Sequence, residues 1–159
     1  AVAVDAGQVD AATGFFNIEP VQLSLRGQEV NVLRVSDVAP LPGPGLVAGV
    51  DTLEAKGDAL AAFTAATIRA MEEISADPQL GLEAAFTRVP ELAGDPETQL
   101  AILEATIESW RSDYAVENGL GAVDPAAWDS GLAIMRSLPD STVSDELTVD
   151  DLVTDALRS

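Results

Sequence analysis

The chain has 159 residues, with 8 Lys+Arg against 27 Asp+Glu, a net charge of −19, and neither His nor Cys. Disulfides, thiolate nucleophiles and Cys-based zinc sites are therefore excluded, as are the commonest metal ligand and the usual neutral-pH base. No catalytic residue, metal or cofactor is expected, and a surface this acidic repels phosphate backbones, so neither is nucleic acid. The 47% apolar fraction can still supply a sizeable core.

The acid is uneven. Residues 1–50 hold five acids and two Arg, whereas residues 51–159 hold 22 acids and six bases, of which only Lys56 is a lysine. No segment reaches the roughly 18 apolar residues needed to span a bilayer. Ala1–Gly7 lacks the basic start of a secretory signal and an initiating Met, so the chain reads as a trimmed piece of something longer.

In chain order, Val9–Thr13 is the first strand candidate, bounded by Gly7 and Gly14. Pro20 suits the first turn of a short helix running to Leu25, which Gly27 should stop. Val30–Val35 alternates as a second strand. Pro40, Pro42 and Pro44, with Gly43 and Gly45, make a stiff connection, and Leu46–Val50 reads as a third, buried strand. Strand, helix and strand at this spacing predict a βαβ unit and an α/β fold with a few parallel strands.

Beyond residue 51 the period changes. Leu60, Phe63, Thr67, Met71 and Ile74 recur at helical steps. Asp77-Pro78, Asp95-Pro96 and Asp124-Pro125 each set a capping carboxylate before a proline at the first helical position. Leu100, Leu103, Ile107 and Trp110 line the second of these helices, and Trp128, Leu132, Met135 and Leu138 line the third. A last helix is expected over Val149–Leu157, capped by Thr148. The Trp residues read as core, and the acids Asp145, Glu146, Asp150, Asp151 and Asp155 as a solvated face without a calcium-loop pattern.

The run Gly7-Gln8-Val9-Asp10-Ala11-Ala12-Thr13-Gly14-Phe15-Phe16-Asn17-Ile18-Glu19-Pro20 resembles a segment of the thiamine-pyrimidine-precursor-binding proteins. Those are solute-binding components of ABC importers with the type 2 periplasmic-binding-protein fold. Leu41–Val47, Glu104–Trp110 and Gly119–Trp128 follow in the same order. The resemblance implies the C-terminal half of a two-lobed receptor. Residues 1–45 would be what remains of the second lobe leading into the hinge. Residues 46–159 would be a returning strand and helices packed on the first lobe.

On that resemblance the expected function is binding of a small heterocyclic, thiamine-precursor-like solute by lobe closure, with a membrane permease as partner and an extracytoplasmic location. A half-cleft should bind weakly, and open sheet edges make self-association of the piece an expectation. The expected ligand residues are Phe15, Phe16, Asn17, Glu19 and Asp37. Aromatic rings can stack on a flat heterocycle, a carboxylate can accept from an exocyclic amine, and Asn offers donor and acceptor. Core packing competes for Phe15 and Phe16, a favourable helix-terminus charge for Glu19, and simple solvation for Asp37. Two other functions stay open. One is the related pyrimidine-synthase chemistry, which relies on His and Cys. The other is a helical interaction domain with no small ligand.

Overall fold

A computed structural model describes residues 1–39 and 41–158. The chain is helical: α1 (Val2–Asp5), α2 (Glu19–Leu25), α3 (Val50–Ala76), α4 (Pro78–Arg88), α5 (Pro96–Ser109), α6 (Asp113–Asn118) and α7 (Pro125–Ser137). Single 3₁₀ turns lie at Val35–Asp37, Pro90–Gly94 and Val149–Asp151.

The α/β expectation is overturned, because no strand forms among the described residues. Residues 9–14, 29–33 and 41–48 take part in no backbone–backbone hydrogen bond there. Most of their side chains face solvent, Leu33 at 92% exposure and Val47 at 96%, with Pro42 half-buried against Gly131. β-propensity fits a residue to a pleated, half-buried surface, and a strand persists only where a neighbour completes its ladder. Here no backbone hydrogen bond joins the three apolar runs, so the expected βαβ unit does not assemble. Pro40, in the expected stiff connection, lies outside the described residues.

The helix starts follow the local chemistry closely. Asp77 accepts from the Gln79 N–H at 3.1 Å, Asp95 from Thr98 at 3.2 Å, and Asp124 from Ala126 at 2.9 Å and Ala127 at 3.3 Å. Each carboxylate satisfies donors that the first turn leaves without an intrahelical partner. Asp124→Ala should therefore cost about 1 kcal/mol in a denaturant melt, whereas Asp124→Asn should keep most of the stability. An unchanged midpoint in Asp124→Ala would show that the cap is idle.

Helix α2 stops as expected. Gly27 sits at φ +75°, the Gly27 N–H donates to Ser24, and the Gln28 N–H reaches back to Leu23 at 3.0 Å. That pair of bonds is a Schellman closure, which needs the left-handed residue glycine supplies. Helix α3 runs longer than its apolar repeat suggested and kinks at Lys56 (φ −134°, ψ 23°), next to Gly57.

The expected helix over Val149–Leu157 is also corrected. Only the 3₁₀ turn at Val149–Asp151 forms, with Thr148 as its cap. The Asp151 carboxylate accepts from the Thr148 hydroxyl at 2.7 Å and the Thr148 N–H at 2.8 Å. These bonds, the hydroxyl's foremost, hold its pKa below the ordinary 3.8. Asp150, Asp151, Thr154 and Asp155 are poor helix formers, and they outweigh the helical spacing of Val149, Leu152, Val153, Ala156 and Leu157 in so short a segment.

Packing centres on α5, which touches α2, α3 and α4, while α7 carries the turn at 149–151. Leu23, Leu82, Ile107 and Leu132 are the buried apolar residues among those described. The core is thin for the chain's mass. The accessible surface is 11426 Å² for 16.5 kDa, against about 7,500 Å² for a compact monomer of that size. Much of the excess is apolar and lies before residue 51, from Val2 through Phe15, Leu33 and Val38 to Val50.

Candidate functional site

The segment Phe15–Glu19 is a tight turn that feeds α2. The Ile18 and Glu19 N–H groups both donate to the Phe15 carbonyl, at 2.9 and 3.2 Å. The Glu19 carboxylate then reaches back to accept from the Phe15 N–H at 2.7 Å. Gly14 makes room for this, since a Cβ there would lie 2.6 Å from Glu19 Oε2. Both polar backbone groups of Phe15 are thus committed, and its ring is left outside the turn.

One long-range bond anchors the turn to the bundle. Asn17 Nδ2 donates to Thr106 Oγ1 on α5 at 2.8 Å, and the same hydroxyl donates to the Ile102 carbonyl at 2.8 Å. Thr106 is therefore held as an acceptor, and Asn17 is half-buried against it. Leu23, one turn further along α2, is 5% exposed and carries the apolar side of the same α2–α5 seam.

The rings stand in solvent. Phe15 is 68% exposed and Phe16 40%. The guanidinium carbon of Arg34 lies 4.8 Å from the Phe16 ring centre, inside the range of a cation–π contact. Two recesses lie between α2 and α5, and no residue of the Phe15–Glu19 turn lines either of them. A polar one of about 290 Å³ is lined by Gln22, Arg26, Asp95, Glu97 and Gln99 among others. A shallow, more apolar groove runs past Pro20, Val21, Leu25 and Ala101.

Four of the five expected ligand residues therefore share one turn: Phe15, Phe16, Asn17 and Glu19. Asp37 is not part of that turn: it is exposed in the turn Val35–Asp37, and its side chain makes no hydrogen bond or ion pair among the described residues. Sequence reasoning missed Thr106 and Arg34. A threonine inside an apolar helix carries no sign of a partner 89 positions away. Arg34 sat in an expected strand, where its side chain had no assigned neighbour.

No group of three or more acidic side chains among the described residues is placed to hold a metal ion. Asp151 accepts from Thr148 within its own turn, whereas Asp155 pairs with Arg158 at 3.2 Å and also accepts from the Val123 N–H at 3.4 Å.

A family model described as NMT1/THI5 like matches residues 1–80, half of the chain. The chain belongs to the NMT1/THI5-like family. The match includes Gly7–Pro20 and Leu41–Val47, two of the runs on which the resemblance was read. A curated relative, the riboflavin-binding protein RibY of Chloroflexus aurantiacus, is 29% identical over 136 residues. The aligned part covers 85% of this NMT1/THI5-like chain and 39% of that protein, so the chain spans well under half the relative's length. No solved structure matches. Among the described residues no helix is long and apolar enough to cross a membrane.

Proposed function

We propose that this chain forms part of the solute-contacting surface of an extracytoplasmic receptor that delivers a flat nitrogen heterocycle to a membrane importer. The observation that carries the reading is the Phe15–Glu19 turn. It holds two exposed aromatic faces on a backbone locked by Glu19 and tied to α5 through Asn17. Exposed aromatic rings on a rigid turn are costly for a free surface and suited to stacking, since every flat heterocycle offers a π-face. The family and the name of the related riboflavin-binding protein support a binding role. This chain offers neither His nor Cys for pyrimidine-synthase chemistry.

In this reading residues 1–45 carry the solute-facing turn, and the helices that follow brace it. Riboflavin and the aminopyrimidine precursor of thiamine are the two solutes to try first. Titrating each into the protein that carries this chain, followed by flavin fluorescence for the one and calorimetry for the other, should give saturable one-to-one binding of at least one. Linear, unsaturable responses to both would refute the proposal.

A further inference from the structure

We propose that Arg34 is a displaceable cover on Phe16: its guanidinium occupies a ring face that a stacking solute needs, so the contact is autoinhibitory and opens when the solute binds. The inference rests on the solute-binding reading above and deepens it. The Arg34 guanidinium carbon lies 4.8 Å from the Phe16 ring centre. Packed carbon layers sit roughly 3.5 Å apart, so a flat molecule between the two would need about 7 Å and cannot enter while the contact stands. Phe15 stands open at 68% exposure, against 40% for Phe16. The turn therefore offers one ring freely and the other only after Arg34 has swung away.

The surroundings of Arg34 suit a cover that moves. Arg26, Arg69, Arg136 and Arg158 are each ion-paired with an acid. Arg136 also donates to the Ser144 and Leu147 carbonyls, and Arg158 to the Asn118 carbonyl, so both are built into the fold. Among the described residues the exposed Arg34 side chain has no acid within 4.0 Å and makes no hydrogen bond. An exposed cation–π contact is weak enough to be exchanged for hydration. The backbone of the same residue is fixed, because its carbonyl accepts from the Asp37 N–H at 3.2 Å and opens the turn Val35–Asp37. A movable side chain on a held backbone can leave the ring and return to it.

The test uses the protein that carries this chain, with riboflavin and the aminopyrimidine precursor of thiamine as probes. Arg34→Gln should raise the affinity for whichever probe binds by about two- to fivefold, the strength of an exposed cation–π contact. Arg69→Gln removes the same charge from α3 and should leave affinity unchanged, which separates an uncovered ring from a more acidic surface. Matching thermal midpoints would show that the variants are folded. Proton NMR reads the cover directly. The Arg34 δ-methylene signals should lie upfield in the free protein, and should move to their ordinary position both in Phe16→Leu and when the unaltered protein is saturated with the probe. Unchanged or weakened binding in Arg34→Gln, or Arg34 signals still upfield at saturation, would overturn the cover while leaving the binding function standing. Saturable binding of neither probe to the unaltered protein would overturn both.

Discussion

Ile107→Ala should lower the unfolding free energy by about 2–4 kcal/mol, the largest stability loss expected from a single truncation in this chain. Ile107 is 5% exposed on α5, the helix against which α2, α3 and α4 all pack. With only Leu23, Leu82, Ile107 and Leu132 buried among the described apolar residues, the neighbours have little spare side chain with which to fill the gap. Phe63→Ala is the control. Phe63 is the larger residue and lies on the apolar repeat of α3, yet it is 58% exposed, so its loss should stay within about 0.5 kcal/mol. Urea melts of both variants, followed by far-UV circular dichroism, decide the matter. Equal destabilisation by the two would mean that α5 is not the packing axis.

The second large effect concerns binding. Asn17→Ala should weaken solute affinity by about tenfold, because it removes the bond that fixes the aromatic turn to α5. Thr106→Val should do the same from the other side of that bond, and the double variant should be little worse than either alone. Such non-additivity is the signature of two residues acting through one contact. Thr106 is the informative position, since among the described residues its hydroxyl meets the turn through Asn17 and otherwise donates to the Ile102 carbonyl of its own helix. Normal affinity in Thr106→Val combined with loss in Asn17→Ala would instead make Asn17 a direct solute contact.

The site was only partly legible before folding. Phe15, Phe16, Asn17 and Glu19 are contiguous, so any fold that keeps the turn keeps them together. Their tasks were another matter. Glu19 was read as a carboxylate that could accept from an amine, and the structure adds that one of its oxygens, Oε2, accepts from the Phe15 N–H at 2.7 Å and closes the turn. Asn17 was expected to offer both donor and acceptor to the ligand, yet its amide nitrogen faces α5. Asp37 had only its nearness to the Pro/Gly segment to recommend it.

Charge and composition keep the meaning they had at the outset. Without His or Cys, and with 27 acids, the chain has little to offer covalent or thiolate chemistry. What the structure adds is where its few bases stand. Four Arg side chains are tied to acids, while Arg34 is turned to an aromatic ring. A net charge cannot distinguish those two uses of one residue type.

Residue order alone was enough to place the helix starts at Asp77, Asp95 and Asp124 and the end of α2 at Gly27. Each depends on bonds that span only a few residues and on backbone angles that a single side chain prefers. The remainder waited on packing. Val30–Val35 and Leu46–Val50 carry the pattern of strands, but a strand is a relation between two segments. Among the described residues no backbone hydrogen bond joins either of them to another segment, and Val50 is drawn into α3. The bond from Asn17 to Thr106 likewise joins residues far apart in the chain. Contacts of that kind leave no local signature, because their cost is the closing of a long loop and their gain comes from a surface that exists only after folding.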